Sequence, residues 1–242
     1  MDGPQPSPAA AASAPAPPVR SAASAWTRTR ALVTLCRLQQ HSLLSVRVAR
    51  ALGWVTSFVF AAALGIAATG SSSRHLDSLV VAALTWLSWI AGGLVALLLA
   101  RNLRSLDAKS GVTGLAVQRG HTPSGVARAR TLATMQEVAT AVGKPGLVLS
   151  AMSLALSPSA AVAVGRSLML LGVLGYAAGA GILLGGLSRW SAATSPRHGP
   201  TLLVTVVLGP HLAQSVWPGV PSVPSWLGTW LDQVLWLGTV AG

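Results

Sequence analysis

The sequence contains few charged residues of either sign and very few acids. Asp, Glu, Lys and Arg make up 9% of the 242 residues, and five residues are acidic. A soluble globular domain is about one-quarter charged, so this composition argues against a soluble fold. With 52% hydrophobic residues and a mean hydropathy of +0.60, the chain is predicted to be an integral membrane protein.

The positive charge does not have the distribution that nucleic-acid binding requires. The net charge is +12, yet the chain has only two lysines, and its arginines lie between apolar runs. A nucleic-acid-binding protein presents many Lys and Arg residues on one soluble face. No nucleic-acid partner is therefore expected.

Residues that carry catalysis or bind metals are also scarce. The single cysteine, Cys36, excludes a disulfide framework and a cysteine metal cluster, and it is predicted to be a buried, inert thiol. The five histidines are scattered, and the chain has no HExxH or GxSxG motif. We expect no catalytic residue, no metal site and no cofactor on this chain, which is therefore not an enzyme.

The N-terminal 50 residues divide into two segments. Residues 1–25 are rich in Pro, Ala and Ser and are predicted to be a disordered tail. Residues 26–50 have the pattern of a basic amphipathic helix lying in the headgroup plane before the first span. Its polar arc comprises Arg30, Arg37, Gln40, His41 and Arg47. Its apolar arc comprises Leu32, Leu35, Cys36, Leu38, Leu43 and Val46.

Residues 51–242 are predicted to form an all-α polytopic transmembrane domain of about six helices, since a span needs ~20 apolar residues. The predicted spans are 51–69, 78–100, 131–157, 167–187, 201–217 and 225–242. The third is interrupted by GKPG at 143–146. The sixth is short and contains Asp232, so a re-entrant or interfacial helix is the alternative there.

The distribution of cations between the spans predicts the orientation in the membrane. Residues 20–50, 101–130 and 188–199 hold six, six and two of the seventeen Lys and Arg residues. With six spans these three segments lie on one side, and only Arg74 and Arg166 lie on the other. The positive-inside rule then places the N-terminus and residues 101–130 in the cytoplasm, most simply beneath a bacterial inner membrane.

The segment between the second and third spans is longer than a simple turn. Its sequence is RNLRSLDAKSGVTGLAVQRGHTPSGVARAR. Residues 107–114 are typical of a turn, residues 115–117 are apolar, and HTPSG at 121–125 begins another helix with Ser124 as its predicted cap. A short helix is therefore predicted on the cytoplasmic surface.

Residues 26–242 resemble the ABC-2 type permease family, the membrane subunits of type V ABC exporters. LDAKSGVTGLAVQRGHTPSGVARAR is similar to that family's loop between its second and third spans, with Asp107, Gly111 and Leu115 in corresponding places. GRSLMLLGVLGYAAGAGILLGGLSR looks like its fourth span. The residues from Gly199 to Leu231 look like its fifth span and the hairpin that follows.

The resemblance implies a permease that alternates its access as a separate ATPase docks on a coupling loop at 101–130. The docking residues would be Asp107, Lys109, Gly111, Leu115, Arg119 and Ser124. Mg-ATP would bind the partner, because the nearest string here to a phosphate-binding loop, AVGKPG, has Pro145 where a hydroxyl residue is needed. A second permease copy or paralogue and membrane lipid are the other implied partners. The alternative is a non-transporting scaffold or assembly protein whose basic loop binds a partner or anionic lipid.

Three ionisable residues within predicted spans are candidates for a translocation path. Glu137 and Lys144 are seven residues apart and share one face of a continuous helix, and ionisable groups at membrane depth tend to face a cavity or partner. The other interpretation puts Glu137 at the cytoplasmic interface, with Pro145 kinking the helix. His211 follows Gly209 and Pro210, which are predicted to break or kink the fifth span.

The third group of candidates is a pair of GxxxG patterns in the fourth span. Gly175 and Gly179 form the first, and Gly181 and Gly185 form the second. Small residues let membrane helices approach closely. The pattern predicts packing within the bundle or, alternatively, a subunit interface.

Overall fold

A computed structural model describes residues 22–70 and 73–239 of the chain. These residues are almost entirely helical, and no strand occurs among them. The helices are α1 Ala22–His41, α2 Leu44–Ala67, α3 Ser73–Leu87, α4 Leu94–Ser110, α5 Val112–Gln118, α6 Pro123–Ala155, α7 Ala160–Ala180, α8 Gly186–Thr194, α9 Gly199–Ala213 and α10 Val223–Thr239. Short π-helical segments, Ser88–Gly93 and Gly181–Gly185, join α3 to α4 and α7 to α8. The predicted tail 1–25 lies outside the described residues, except that Ala22–Ala25 begin α1.

Four helical runs are long and apolar enough to cross a membrane. They are Leu44–Ala67, His75–Asn102, Pro123–Ala155 and Ala160–Thr194. At a rise of 1.5 Å per residue, the shortest of them is ~36 Å long, which exceeds the ~30 Å hydrocarbon core. Helix α9 is apolar but has 15 residues, so six full spans remain a prediction.

The outward surface of α2 matches a lipid environment. Phe58 is 70% exposed, and Val55, Val59 and Ile66 are exposed on the same helix. A soluble monomer rarely exposes so large a continuous apolar patch. The chain is an all-α polytopic integral membrane protein.

Helix α6 is the centre of the bundle and packs against α1, α2, α3 and α7. Glycines make these contacts close. A Cβ added at Gly146 of α6 would lie 2.8 Å from the Leu84 side chain of α3, and one at Gly143 would lie 3.0 Å from the Ala177 side chain of α7. Small residues at helix contacts let the backbones pack closely, as in membrane bundles generally.

The prediction of one amphipathic helix over residues 26–50 is wrong in its extent. Helix α1 ends at His41, Leu43 has extended backbone angles, and residues 44–50 are the first two turns of α2. The predicted arcs are also partly wrong, because Gln40 is buried whereas Leu35 and Leu38 are exposed. The reason is that α1 packs against α6, where Gln40 has a hydrogen-bond partner.

The predicted interruption at GKPG is absent. Helix α6 runs continuously through Pro145, and Gly143, Pro145 and Gly146 are all buried. Pro145 has no N–H to donate, so the carbonyl of Ala141, four residues earlier, loses its helical hydrogen bond. The Pro145 carbonyl is not that group, but it accepts an additional hydrogen bond from Ser57 of α2 at 3.2 Å, which joins the two helices at this position.

The segment predicted to be a turn at 107–114 is also mostly helical. Helix α4 continues to Ser110, and the chain leaves it only at Gly111, whose φ is +61°. Gly120 has a φ of +81° and marks the second change of direction. Glycine adopts this left-handed conformation without steric cost, so the two glycines set the ends of α5.

Candidate functional site

The most polar feature inside the helical bundle is a cluster of ions around Glu137 of α6. The Glu137 side chain is 1% exposed. Its Oε1 accepts a hydrogen bond from Arg37 Nε of α1 at 2.8 Å, and its Oε2 accepts one from Arg50 Nη1 of α2 at 3.0 Å. The consecutive helices α1 and α2 therefore meet the distant helix α6 at one carboxylate, and we call this group, with His41, the Glu137 cluster.

His41 completes the cluster from the last residue of α1. Its Nδ1 lies 2.8 Å from Arg50 Nη1 and 3.9 Å from Glu137 Oε2. A guanidinium can only donate, so a hydrogen bond between these two side chains has Arg50 as the donor and His41 Nδ1 as the acceptor. The Glu137 carboxylate accepts hydrogen bonds from two guanidiniums.

Further hydrogen bonds fix α1 on the bundle beside the Glu137 cluster. Arg37 Nη2 donates to Thr140 Oγ1 at 3.3 Å, and Gln40 Nε2 donates to Thr134 Oγ1 at 3.0 Å. Gln39 Nε2 donates to the carbonyl of Leu106 in α4 at 3.0 Å. These contacts hold α1 against both helices that flank α5. One end of the bundle is formed by α1, α5, the end of α4 and the start of α6. We call it the basic end.

A second buried ion pair lies at the opposite end of the bundle. Arg166 of α7 is 3% exposed, and its Nε donates to Asp77 Oδ1 of α3 at 3.0 Å. Its Nη1 donates to the carbonyl of Ser153 in α6 at 2.6 Å. The three helices α3, α6 and α7 are joined there through one cation.

A surface groove lies between α1 and α5 at the basic end. It has a volume of about 470 Å³ and is lined by Arg28, Ala31, Leu32, Leu35, Val112, Leu115, Ala116, Arg119 and His121. Leu115 is 56% exposed, and Leu35 is also exposed. The groove therefore combines an apolar floor with a basic rim, and we call it the α1/α5 groove.

The structure places the predicted docking residues in different positions relative to this groove. Leu115 and Arg119 line it, and Gly111 caps the start of α5. Ser124 is exposed in the first turn of α6 and is not the cap. Thr122 is the cap, because its Oγ1 accepts from the amide of Gly125 at 3.1 Å, and Pro123 takes the first helical position that proline favours.

Two other predicted docking residues, Asp107 and Lys109, have side chains outside the described residues. Their backbone belongs to the last turns of α4.

The three predicted path residues do not come together. Lys144 is exposed on α6 and forms no ion pair with Glu137, which is bound to the two arginines. His211 is exposed, and its Nδ1 lies 3.2 Å from Gln214 Oε1 in the last turn of α9. The predicted break at Gly209–His211 is absent, since α9 continues to Ala213. A translocation path through these three residues is therefore not seen.

Three of the four GxxxG glycines pack inside the bundle. A Cβ at Gly181 would lie 2.6 Å from the carbonyl oxygen of Met135, and one at Gly185 would lie 2.8 Å from its Cα. Gly179 is covered by the Trp230 ring of α10. Gly175 faces outward, with nothing within 4 Å of its added Cβ.

Sequence reasoning missed the partners of Glu137 and the pair formed by Arg166 and Asp77. A signal existed for the first, because a buried carboxylate requires a cation and Arg37 and Arg50 both precede the first predicted span. Nothing local identified which cations would bind it. Within the described ranges, 22–70 and 73–239, no group of three or more His, Cys, Asp or Glu side chains is arranged to hold a metal ion.

Comparison with known proteins does not assign the chain to a family. No family model, no curated protein and no solved structure matches it.

Proposed function

We propose that the chain is a membrane-embedded subunit that receives a cytoplasmic partner in the α1/α5 groove, and that this partner is the ATPase of an exporter. The observation that carries the proposal is the groove itself, with the exposed side chain of Leu115 between basic groups. On this proposal the chain is the permease of an ATP-binding-cassette exporter of the ABC-2 type. The chain itself is not an enzyme.

The chemistry of the α1/α5 groove supports a protein partner. Leu35 and Leu115 are exposed apolar side chains, and Arg28, Arg119 and His121 lie around them. An apolar centre within a polar rim is the usual anatomy of a protein interface. The complementary surface is an amphipathic element with an apolar anchor and acidic flanks.

The position of α5 supports mechanical coupling. It connects α4 and α6, and both of these belong to helical runs long enough to cross a membrane. Helix α1 is held to the same unit by the Glu137 cluster and by the hydrogen bond from Gln39 to α4. A force applied at α5 would therefore be passed to several helices rather than absorbed by a loop.

The orientation follows from the same proposal. The basic end carries most of the cations, and the positive-inside rule puts it, with the N-terminus, on the cytoplasmic side of the membrane. On this proposal the membrane is a bacterial inner membrane. A soluble ATPase reaches the α1/α5 groove only in that orientation.

The test is capture of a P-loop ATPase encoded beside this gene by the tagged full-length chain in mild detergent. We expect Leu115→Asp and Arg119→Glu each to lower the amount of ATPase recovered by about tenfold, as expected for a central interface residue. The matched control is Val216→Asp, because Val216 is an exposed apolar residue away from the basic end. Recovery of equal ATPase with Leu115→Asp and Val216→Asp would contradict the docking site.

The second candidate is a non-transporting membrane scaffold or assembly protein. The observation in its favour is the Glu137 cluster, which fixes α1 rigidly where a transporter must change shape. The same capture experiment separates the two, because a scaffold retains a Leu115-dependent partner that has no nucleotide-binding motif. The absence of any ATPase from the purified complex would decide against the permease.

A further inference from the structure

Helices α9 and α10 are each too short to cross a membrane alone. At 1.5 Å per residue, the 15 residues of α9 extend ~22 Å and the 17 residues of α10 extend ~26 Å, whereas the hydrocarbon core is ~30 Å thick. Residues 214–222 separate the two helices. Two such helices are either the arms of a hairpin or the two halves of one broken span.

The neighbours of the two helices place them in different halves of the bundle. Helix α9 packs against α4 and α8, whereas α10 packs against α3 and α7. Helices α4 and α8 are the parts of the long helical runs nearer to the basic end. Helices α3 and α7 carry Asp77 and Arg166, the ion pair at the opposite end. Helix α9 therefore lies in the half next to the basic end, and α10 lies in the other half.

The buried residues give the direction of α10. Its first residue, Val223, packs against the core cluster that contains Leu203 and Val207 of α9. Leu227 and Leu231, one and two turns later, belong to the core cluster formed with α3 and α7. Helix α10 therefore begins beside the inner part of α9 and runs away from the basic end. In a hairpin it would return along α9 toward the basic end.

The break between the two helices has a defined backbone and an exposed surface. Gln214 Nε2 donates to the carbonyl of Val220 at 2.7 Å. Ser222 Oγ accepts from the amide of Ser225 at 3.2 Å and so caps the start of α10. Residues 215–219, between these two hydrogen bonds, are exposed.

We propose that α9 and α10 are the two halves of one discontinuous span, and that residues 214–222 line a water-filled cavity within the membrane. Non-helical backbone is tolerated at membrane depth only where protein buries it or where it lines such a cavity. The chain itself does not bury residues 215–219. The polar side chains of His211, Gln214 and Ser215 lie next to the break, where discontinuous spans bind solutes.

Five spans follow in place of the six predicted, because the four long runs are joined by one broken span. The chain then leaves the bundle on the side opposite to the basic end, whereas six spans return it to the basic end. As a binding site for a polar solute, the cavity rests on the transport function proposed above. The topology and the entry of water do not, and neither experiment below requires an ATPase.

The topology test labels single cysteines in the full-length chain that carries Cys36→Ala, which removes its one native thiol. Thr69→Cys marks the opposite end, between α2 and α3, and Ser124→Cys marks the basic end; both positions are exposed. We expect Gly242→Cys to react with a membrane-impermeant maleimide from the same side as Thr69→Cys. Reaction from the side of Ser124→Cys would overturn the single broken span.

The cavity test compares a small charged thiosulfonate with a polymer-linked maleimide on Ser215→Cys and Gly219→Cys in the same background. A Cβ added at Gly219 meets nothing within 4 Å, so this position has room for the new side chain. We expect both cysteines to react with the thiosulfonate and not with the polymer-linked reagent. Phe58→Cys, on the exposed apolar face of α2, is the lipid-facing control and should react with neither.

Two results would overturn the cavity. Reaction of Ser215→Cys and Gly219→Cys with the polymer-linked maleimide would mean that the break is a loop on the membrane surface. Reaction with neither reagent, as at Phe58→Cys, would mean that lipid or another protein covers the break.

Discussion

Two buried ion groups in the described part of this protein use opposite arrangements. At the basic end the buried ion is an acid, Glu137, and two arginines share it. At the opposite end the buried ion is a cation, Arg166, which pairs with Asp77, whose side chain is 32% exposed. The first group retains a counterion when one arginine is lost, whereas the ion pair between Arg166 and Asp77 is lost with either residue.

This difference indicates what each end does. The Glu137 cluster attaches a helix outside the spans, α1, to the helices of the bundle through Arg37 and Arg50. The pair of Arg166 and Asp77 joins helices that already pack against one another through apolar residues. Removing an ion at the basic end should therefore release α1, and removing one at the opposite end should only loosen the bundle.

The largest effect is expected from Glu137→Leu. The substitution leaves two arginines facing an apolar contact, and breaking a buried ion group by removing one partner costs ~3–5 kcal/mol. The measurement is the free energy of unfolding of the purified protein in detergent, with protease cleavage within α1 as a second readout. Gln136→Leu is the control, because Gln136 is the exposed neighbour on α6; equal destabilisation by both would contradict the comparison.

A smaller loss of stability is expected from Arg166→Met. The substitution keeps an apolar stem in the site, and Asp77 can be hydrated, so the cost should be ~1–3 kcal/mol. Unfolding of the variant measures it, and Arg197→Met serves as the matched control at an exposed arginine. Release of α1 to protease by Arg166→Met, with Glu137 intact, would show that the two ends are not independent.

The smallest effects are expected from Arg37→Met and Arg50→Met, because each leaves Glu137 with one guanidinium. Arg50 is the more buried of the two and also contacts His41, so its loss should cost ~1–2 kcal/mol and the loss of Arg37 less. The double variant should cost clearly more than the two single losses together. Additive single losses would mean that the arginines do not substitute for one another.

Hydropathy gave a good account of the spans and a poor account of the segments between them. The apolar runs at 78–100 and 167–187 lie within long helical runs of the structure, and the run at 51–69 lies in α2 except for its last two residues. The prediction for residues 26–50 was wrong because a helical wheel cannot show which neighbour a helix will contact. Gln40, predicted on the polar arc, is buried against α6. The prediction of a turn at 107–114 was wrong because, within this segment, only Gly111 has a non-helical conformation.

The candidate site was predictable in part. Leu115 and Arg119 were expected on a short surface helix, and both lie on the α1/α5 groove. The other wall of that groove comes from α1, which is about 80 residues away in sequence, and no local pattern joins the two. Ser124 was predicted as the cap, whereas Thr122 is the cap in the structure. Pro123 was the overlooked signal, because proline favours the first helical position and so indicates the residue before it as the cap.

The sequence by itself determined that the chain is a helical membrane protein. The low content of charged residues and the long apolar runs are properties of residues adjacent along the chain, so they do not depend on tertiary contacts. Only the tertiary structure decided that Glu137 binds Arg37 and Arg50 and leaves Lys144 exposed. An ion selects its partner by distance in space, and these partners are 100 and 87 residues away along the chain.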